Sequence, residues 1–387
     1  MPPQPPGPPA SRRKQPSSAA EDAAAPLVSV VVPARNEEIS IGECLASLTD
    51  QNGVSCEIIV VDDDSSDATG EVARSFPGVK VIAAGPLPAG WSGKSNACAT
   101  GARQARGKWL LFTDADTVHL PGSLARAVAE AENCGADLLS YSPEQVTDTV
   151  WGQAVMPVIF AELAGTYRPR EVSDPASAAA AANGQYLLIT REAYDAVGGH
   201  AAAATTLLED VELARRVKRS GRHLQFRFGG DAVRTRMYRS FEQLREGWTK
   251  NLALLFPEAE ELAARRGLEF AAIVGGAAVG AWAAASGRRG LAIASGALAA
   301  AAYGNFRRRI HRAHAGGRAE TLALLGLPLF AYLLRRSAQR YAGEGEVTWK
   351  GRSYSAQTAE RLTAGEGGFR GPIHEAAGPP NSSVMSD

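Results

Sequence analysis

The sequence has little with which to cross-link itself. Its four cysteines, Cys44, Cys56, Cys98 and Cys134, form no CxxC pair, and its six histidines offer no zinc spacing. Neither a disulfide framework nor a structural metal is expected, and reduced cytoplasmic thiols are the plain reading. Net charge is also missing: 41 basic residues balance 41 acidic ones, which argues against a nucleic-acid-binding protein. No apolar run stands between the Arg12-Arg13-Lys14 cluster and Leu27, so no secretory signal is read and the folded part is expected in the cytoplasm. GxGxxG does not follow the first apolar run, which sets dinucleotide binding aside.

What is present starts with two low-complexity ends. Residues 1–26 are crowded with Pro and Ala, and residues 365–387 with Gly, Pro and Ser; neither can bury much apolar surface, so both read as disordered tails. Between them the front half alternates. Residues 28–32 are a β-branched run ending at Pro33, and Arg35-Asn36-Glu37-Glu38 leads into the helical pattern Ile41, Leu45, Leu48. Residues 57–61 form a second apolar run that stops at Asp62-Asp63-Asp64-Ser65-Ser66, with a helix expected over residues 69–74 and further strands at 79–83 and 109–112. Strand, polar loop, helix, strand predicts a mostly parallel α/β sheet with its polar loops on one rim, at the carboxyl ends of the strands.

Two motifs carry chemistry. PAGWSGKS, residues 88–95, matches GxxxxGKS except that Pro88 replaces the first Gly, and Pro lacks the backbone donor and φ freedom a phosphate cradle needs. A P-loop-like NTPase therefore stays only as an alternative. Asp114-Ala115-Asp116, directly after the run Trp109 to Phe112, is the stronger signal. Two carboxylates one residue apart at a strand end can approach one hard cation that keeps positions open for diphosphate oxygens.

VSVVVPARNEE, EIIVVDDDSSDAT, GKSNACATGARQARGKWLLFTDADT and LLEDVELARRVKRSG, in that order, resemble the motifs of family 2 inverting glycosyltransferases of the GT-A fold. The resemblance covers residues 28 to about 251 and implies sugar transfer from a nucleotide-diphosphate donor, with a UDP-sugar favoured over a GDP-sugar. By that resemblance Pro33, Arg35 and Glu37 line the nucleotide pocket, Asp63 or Asp64 contacts the base or ribose, and Lys94 lies near the donor. Asp114 and Asp116 hold the diphosphate with Mg²⁺ or Mn²⁺. Glu209-Asp210 resembles the ED motif, whose Asp is the base, here Asp210; the same pair would also suit a helix N-terminus. Gly199, in Gly198-Gly199-His200, is placed near the acceptor, with His200 read as structural because no acid or metal partner is visible in sequence.

The QxxRW signature of processive synthases is reduced to Trp248 in LREGWTKN, which argues against long-chain polymer synthesis and leaves Trp248 in the acceptor region. Residues 236–251 and VTWKGRSY look more like the membrane-bound, lipid-glycosylating branch, similar to hopanoid-associated and carotenoid glycosyltransferases. Three apolar runs agree with membrane association: 270–287, 291–306 and 322–334, the last short and broken by Pro328. Basic pairs flank every run, so orientation and the number of crossings stay open. Trp151, Met156, Ile159 and Phe160 suit an interfacial helix or an ordinary core. The expectation is thus a cytoplasmic catalytic domain over 27–256, a membrane-associated helical region over 257–342, a segment 343–364 containing VTWKGRSY, and a lipid acceptor at the cell membrane. A polyprenyl-phosphate sugar synthase and a non-catalytic nucleotide-binding membrane protein are the remaining alternatives, and removing residues 270 onward is expected to leave a soluble protein.

Overall fold

The computed structural model describes residues 25–313, 317–343, 346–349 and 352–355. Residues 1–24 and 356–387, and with them nearly all of both expected tails, lie outside the described residues.

The chain opens with β1 (Val28–Ala34), α1 (Ile41–Thr49), β2 (Cys56–Asp62), α2 (Thr69–Arg74), β3 (Val79–Ala83), α3 (Gly93–Gln104) and β4 (Trp109–Phe112). The middle runs β5 (Thr117–His119), α4 (Ser123–Cys134), β6 (Leu138–Ser142), β7 (Glu144–Gln145), α5 (Val150–Thr166), α6 (Pro169–Ser173), β8 (Leu187–Thr190), α7 (Arg191–Ala196), α8 (Gly199–Ala202), α9 (Glu209–Arg219), β9 (Leu224–Phe228) and β10 (Val233–Thr235). Helices then dominate: α10 (Phe241–Leu255), α11 (Ala259–Phe270), a π turn (Ala271–Gly275), α12 (Gly276–Ala285), α13 (Arg289–Ile310), a 3-10 turn (His311–Ala313) and α14 (Gly317–Gly343). VTWKGRSY contributes to two short strands, β11 (Glu346–Trp349) and β12 (Arg352–Ser355).

The main sheet has the order β3-β2-β1-β4-β8-β6-β9, parallel except for β8, which runs against both neighbours. Register sets the rim. Ala34 pairs with Asp62, so β1 and β2 end level, and Val31 pairs with Phe112, so β4 ends three residues short of them at the same edge of the sheet. Alternation splits the core between the faces: Val28, Val30 and Val32 pack with Ile41, Leu45 and Leu48 of α1, while Val31 packs with Ala97 of α3 and Leu213 of α9. Helix α3 lies close because Gly101 permits it; a Cβ there would fall 2.4 Å from Val31 Cγ1.

A third core joins α5, α10, α11, α13 and α14 around Val155, Ile159, Leu252, Leu327 and Phe330. The apolar cluster read from Trp151 to Phe160 therefore sits inside the protein: Met156 and Ile159 are buried, and Trp151 is half-buried against Phe241. Helix α14 runs unbroken through Pro328, and it buries Ala323, Leu327, Phe330, Leu333 and Leu334. At its crossing with α5, a Cβ on Gly326 would fall 2.0 Å from Ala154 O, so only a hydrogen fits. The third apolar run is thus a core helix. Among the described residues one helix, Ala259–Ala285, is long and apolar enough to cross a membrane.

Candidate active site

The loop after β1 is tied to the loop after β2. Arg35 Nη1 donates to the carbonyl oxygens of Asp63 and, at 2.8 Å, Asp64. Asn36 and Asp64 both take positive φ, 53° and 59°, a region that Asn and Asp tolerate better than other side chains. Ser66 N donates to Asn36 Oδ1, and Glu37 N to Thr69 Oγ1. Pro33, Arg35, Glu37 and Asp63 all line one cavity of about 580 Å³. Asp64 does not; its side chain is 91 % exposed and faces the Arg35 guanidinium at 3.6 Å.

Helix α3 starts where Ser92 caps it, its Oγ accepting from Ser95 N at 3.0 Å. That cap directs Lys94, two residues on, into the cavity. Its ammonium lies 2.7 Å from Asp114 Oδ1 and 3.2 Å from Glu209 Oε1. Burial works against that charge, but Asp114, Glu209 and Asp210 outweigh it and hold Lys94 well above the ordinary lysine value. Trp91 is half-buried and stays outside the cavity lining.

Glu209 and Asp210 open α9, where the helix dipole favours negative charge. Their side chains divide the work. Glu209 faces Lys94, whereas Asp210 Oδ2 accepts from Gly184 N at 2.7 Å and its Oδ1 from Val211 N at 2.8 Å. Burial first and Glu209 second raise Asp210 to about 6, although Lys94 and the two amides oppose the rise. A carboxyl with that value, in a cavity, is suited to accept a proton near neutral pH.

Asp114 and Asp116 leave the end of β4 and line the same cavity, with Asp116 Oδ1 buried in its wall. Among the described residues no three His, Cys, Asp or Glu side chains converge as a metal cage. Two carboxylates one residue apart at a strand end, here Asp114 and Asp116 in one cavity lining, are donors of the kind a small hard cation takes together with phosphate and water.

The same cavity also has an apolar lining. Phe160 and Leu163 of α5, Phe226 and Phe228 of β9, and Tyr238 and Trp248 belong to it. Trp248 is anchored in the core, its Nε1 donating to Met156 Sδ at 3.3 Å. Gly199 is not part of this lining; it packs under Tyr194, whose ring a Cβ would meet at 2.3 Å. His200 next to it is buried 3.1 Å from the Tyr194 hydroxyl, and burial with Lys94 lowers it to about 3, which keeps it neutral and structural. All four cysteines are free.

The sequence reading missed several lining residues. Asn183, Gly184 and Gln185 approach from the loop before β8, Lys250 from α10, and Arg312 from the turn after α13. Lys250 was the most accessible to a sequence argument, two residues beyond Trp248 on the same helix. Burial lowers it to about 8, partly offset by Glu209, Asp114 and Asp210.

Residues 29–192 match glycosyl transferase family 2. The 4,4'-diaponeurosporenoate glycosyltransferase of Staphylococcus aureus is 30 % identical over 234 residues, covering 58 % of this chain and 60 % of that protein. The chain thus matches less than two thirds of that relative's length. The mannosyltransferase PcManGT of Pyrobaculum calidifontis, solved in complex with GDP-Man and Mn2+, has the same fold at a TM-score of 0.51 and 18 % identity, over 83 % of this chain and 88 % of that one.

Proposed function

We propose, from the glycosyl transferase family 2 domain that this chain carries on a GT-A fold, that it is an inverting glycosyltransferase passing a sugar from a nucleotide-diphosphate donor to an amphipathic lipid at the cytoplasmic face of a membrane. One observation carries the reading: a single cavity is lined both by a charged group, Lys94 in contact with Asp114 and Glu209 with Asp210 beside them, and by an aromatic group, Trp248 against Phe160 and Tyr238. The charged group suits a nucleotide-diphosphate donor and the aromatic group an aliphatic acceptor. The relative in Staphylococcus aureus, by its name, acts on a carotenoid acid, which supports an apolar acceptor.

Arg35, Glu37 and Asp63 hold the nucleoside end, on two loops that the Arg35 contacts bind together. Asp210 takes the acceptor proton while the acceptor oxygen bonds to the anomeric carbon and the bond from that carbon to the diphosphate oxygen breaks. Direct displacement from the face opposite the leaving group inverts the centre. Glu209 keeps Lys94 in place, and Lys94 and Lys250 face the departing diphosphate. Asp114 and Asp116 are the residues that would hold Mg²⁺ or Mn²⁺, which when bound stabilises charge on the leaving nucleoside diphosphate.

The test is transfer by purified membranes supplied with UDP- and GDP-sugars, Mn²⁺ and a bacterial lipid extract. A labelled glycolipid made by the wild type and absent for Asp210→Asn and Asp116→Ala is expected. Nucleotide binding without turnover on any donor would reduce the chain to a nucleotide-binding protein.

A further inference from the structure

Helices α12 and α13 pack against each other the wrong way round for water. Their contact is made by small groups: Gly276 lies under Ala299, where an added Cβ would meet Ala299 Cβ at 3.2 Å, and Gly280 lies against Ser295 and Gly296. Away from the buried Phe306 and Ile310 at the root of α13, the large apolar side chains point outward, with Ile293 73 %, Leu298 60 % and Trp282 53 % exposed. A helical pair in water gains its stability by burying such side chains, whereas in hydrocarbon they face the lipid and small residues let the backbones approach. Among the described residues only the continuous helix Ala259–Ala285, 17 % buried in its most apolar stretch, is apolar enough to cross alone; α13 would cross as its packed partner, while α14 buries Leu327, Phe330, Leu333 and Leu334.

Charge marks the limits of this surface. Residues 270–287 and 290–306 carry none, lengths of about 27 and 25 Å as helix against a hydrocarbon core of about 30 Å. Arg288 and Arg289 are exposed at the turn, and Arg265, Arg307 and Arg308 at the other end, where arginine meets anionic head groups. That end is fixed to the protein by a buried quartet. Arg309 Nε lies 2.9 Å from Glu162 Oε1 and Arg309 Nη2 2.6 Å from Glu269 Oε2, with Arg266 bridging the same two carboxylates at 3.0 Å. Arg312 and Ala313, just past the quartet, line the cavity.

We propose that residues 268–306 form a single helical hairpin inserted in a lipid bilayer, that α14 stays outside the hydrocarbon, and that the hairpin's root brings the cavity to the membrane surface. The proposal refines the membrane part of the function above and makes no use of catalysis, so a chain inactive on every donor can still pass its test. Two crossings, not three, leave α4 and α14 on the same side.

Sealed vesicles carrying the full chain are treated with a membrane-impermeant maleimide. Cys134, exposed on α4, reports the catalytic side; Ile293→Cys, Leu298→Cys and Gln339→Cys, each with Cys134→Ser, report the hairpin and α14. Cys134 and Gln339→Cys should label together, in vesicles of one orientation, and both hairpin positions only after detergent. Labelling of Gln339→Cys from the side opposite to Cys134, or of Ile293→Cys and Leu298→Cys without detergent, would overturn the proposal. So would recovery of the intact chain from the soluble fraction as a homodimer that shields Ile293→Cys, which would give the surface to a second copy.

Discussion

The amide of Gly184 donates to Asp210 Oδ2 at 2.7 Å, and a Cβ on Gly184 would fall 2.9 Å from Lys94 Nζ. One glycine therefore touches both the acid and its neighbouring cation. Gly184→Ala must displace the end of Lys94, a flexible side chain, so folding survives while the ammonium moves away from Asp114. The expected result is a kcat lower by on the order of 10²-fold, with an unchanged circular dichroism spectrum and a Tm within a few degrees of wild type.

Asp210 must be ionised to accept a proton, and its value is raised to about 6. Activity should fall as pH drops through that value and level off above it. Asp210→Asn should lower kcat by about 10² to 10⁴-fold and abolish this acidic limb while donor binding persists. Lys94→Gln removes a positive charge that favours the carboxylate, so the surviving activity should show its acidic limb at higher pH. A limb that stays in place in a pH–rate profile of Lys94→Gln would separate the two residues.

Lys250 is charged below about 8 and loses its proton above it. If its ammonium faces the diphosphate, donor KM should rise as pH passes from 7 to 9, by roughly tenfold, the worth of a charged hydrogen bond. Lys250→Arg keeps the charge and should flatten that rise, and Lys250→Met should raise KM at every pH. Initial rates over a donor series at each pH decide it.

Glu162 is 10 % exposed between Arg266 and Arg309. Glu162→Gln leaves two guanidinium groups with one carboxylate, and loss of one partner from a buried ion pair costs about 3 to 5 kcal/mol. Detergent-solubilised protein should lose Tm accordingly, with donor binding kept at temperatures below the transition.

The rim was readable because its signals are local. Strand β1 ends just past Pro33, β2 at Asp62 and β4 just before the Asp114-Ala115-Asp116 triplet, each after an apolar run, and the parallel sheet then brings the loops that follow to one rim. Lys94 was placed by the same motif, although its contact with Glu209 spans a distance no motif records. The reversal of β8 and the approach of Gly184 depend on pairings made across the sheet. Least legible was the fate of the apolar runs. Residues 322–334 and 270–287 are both uncharged apolar runs, the first rich in Leu and the second in Ala and Gly, yet one fills a core against α5, with Gly326 at the crossing, and the other lies on the outside. A truncation at residue 270, which composition recommends, would take α14 out of that core and expose the buried faces of α5 and α10.

Helix α14 also reaches the wall that carries Lys250. Ser337 Oγ donates to Thr249 O at 2.7 Å and accepts from Ala253 N at 2.9 Å, and the Tyr341 hydroxyl donates to Lys250 O at 2.7 Å. These partners are 84 to 91 residues apart in the chain. At the usual pace of synthesis, about 5 to 20 residues per second, α10 leaves the ribosome roughly 4 to 18 seconds before the helix that braces it. The apolar hairpin is made in that interval, so under the proposed insertion the order of translation places membrane engagement ahead of the last contacts that complete the wall carrying Lys250.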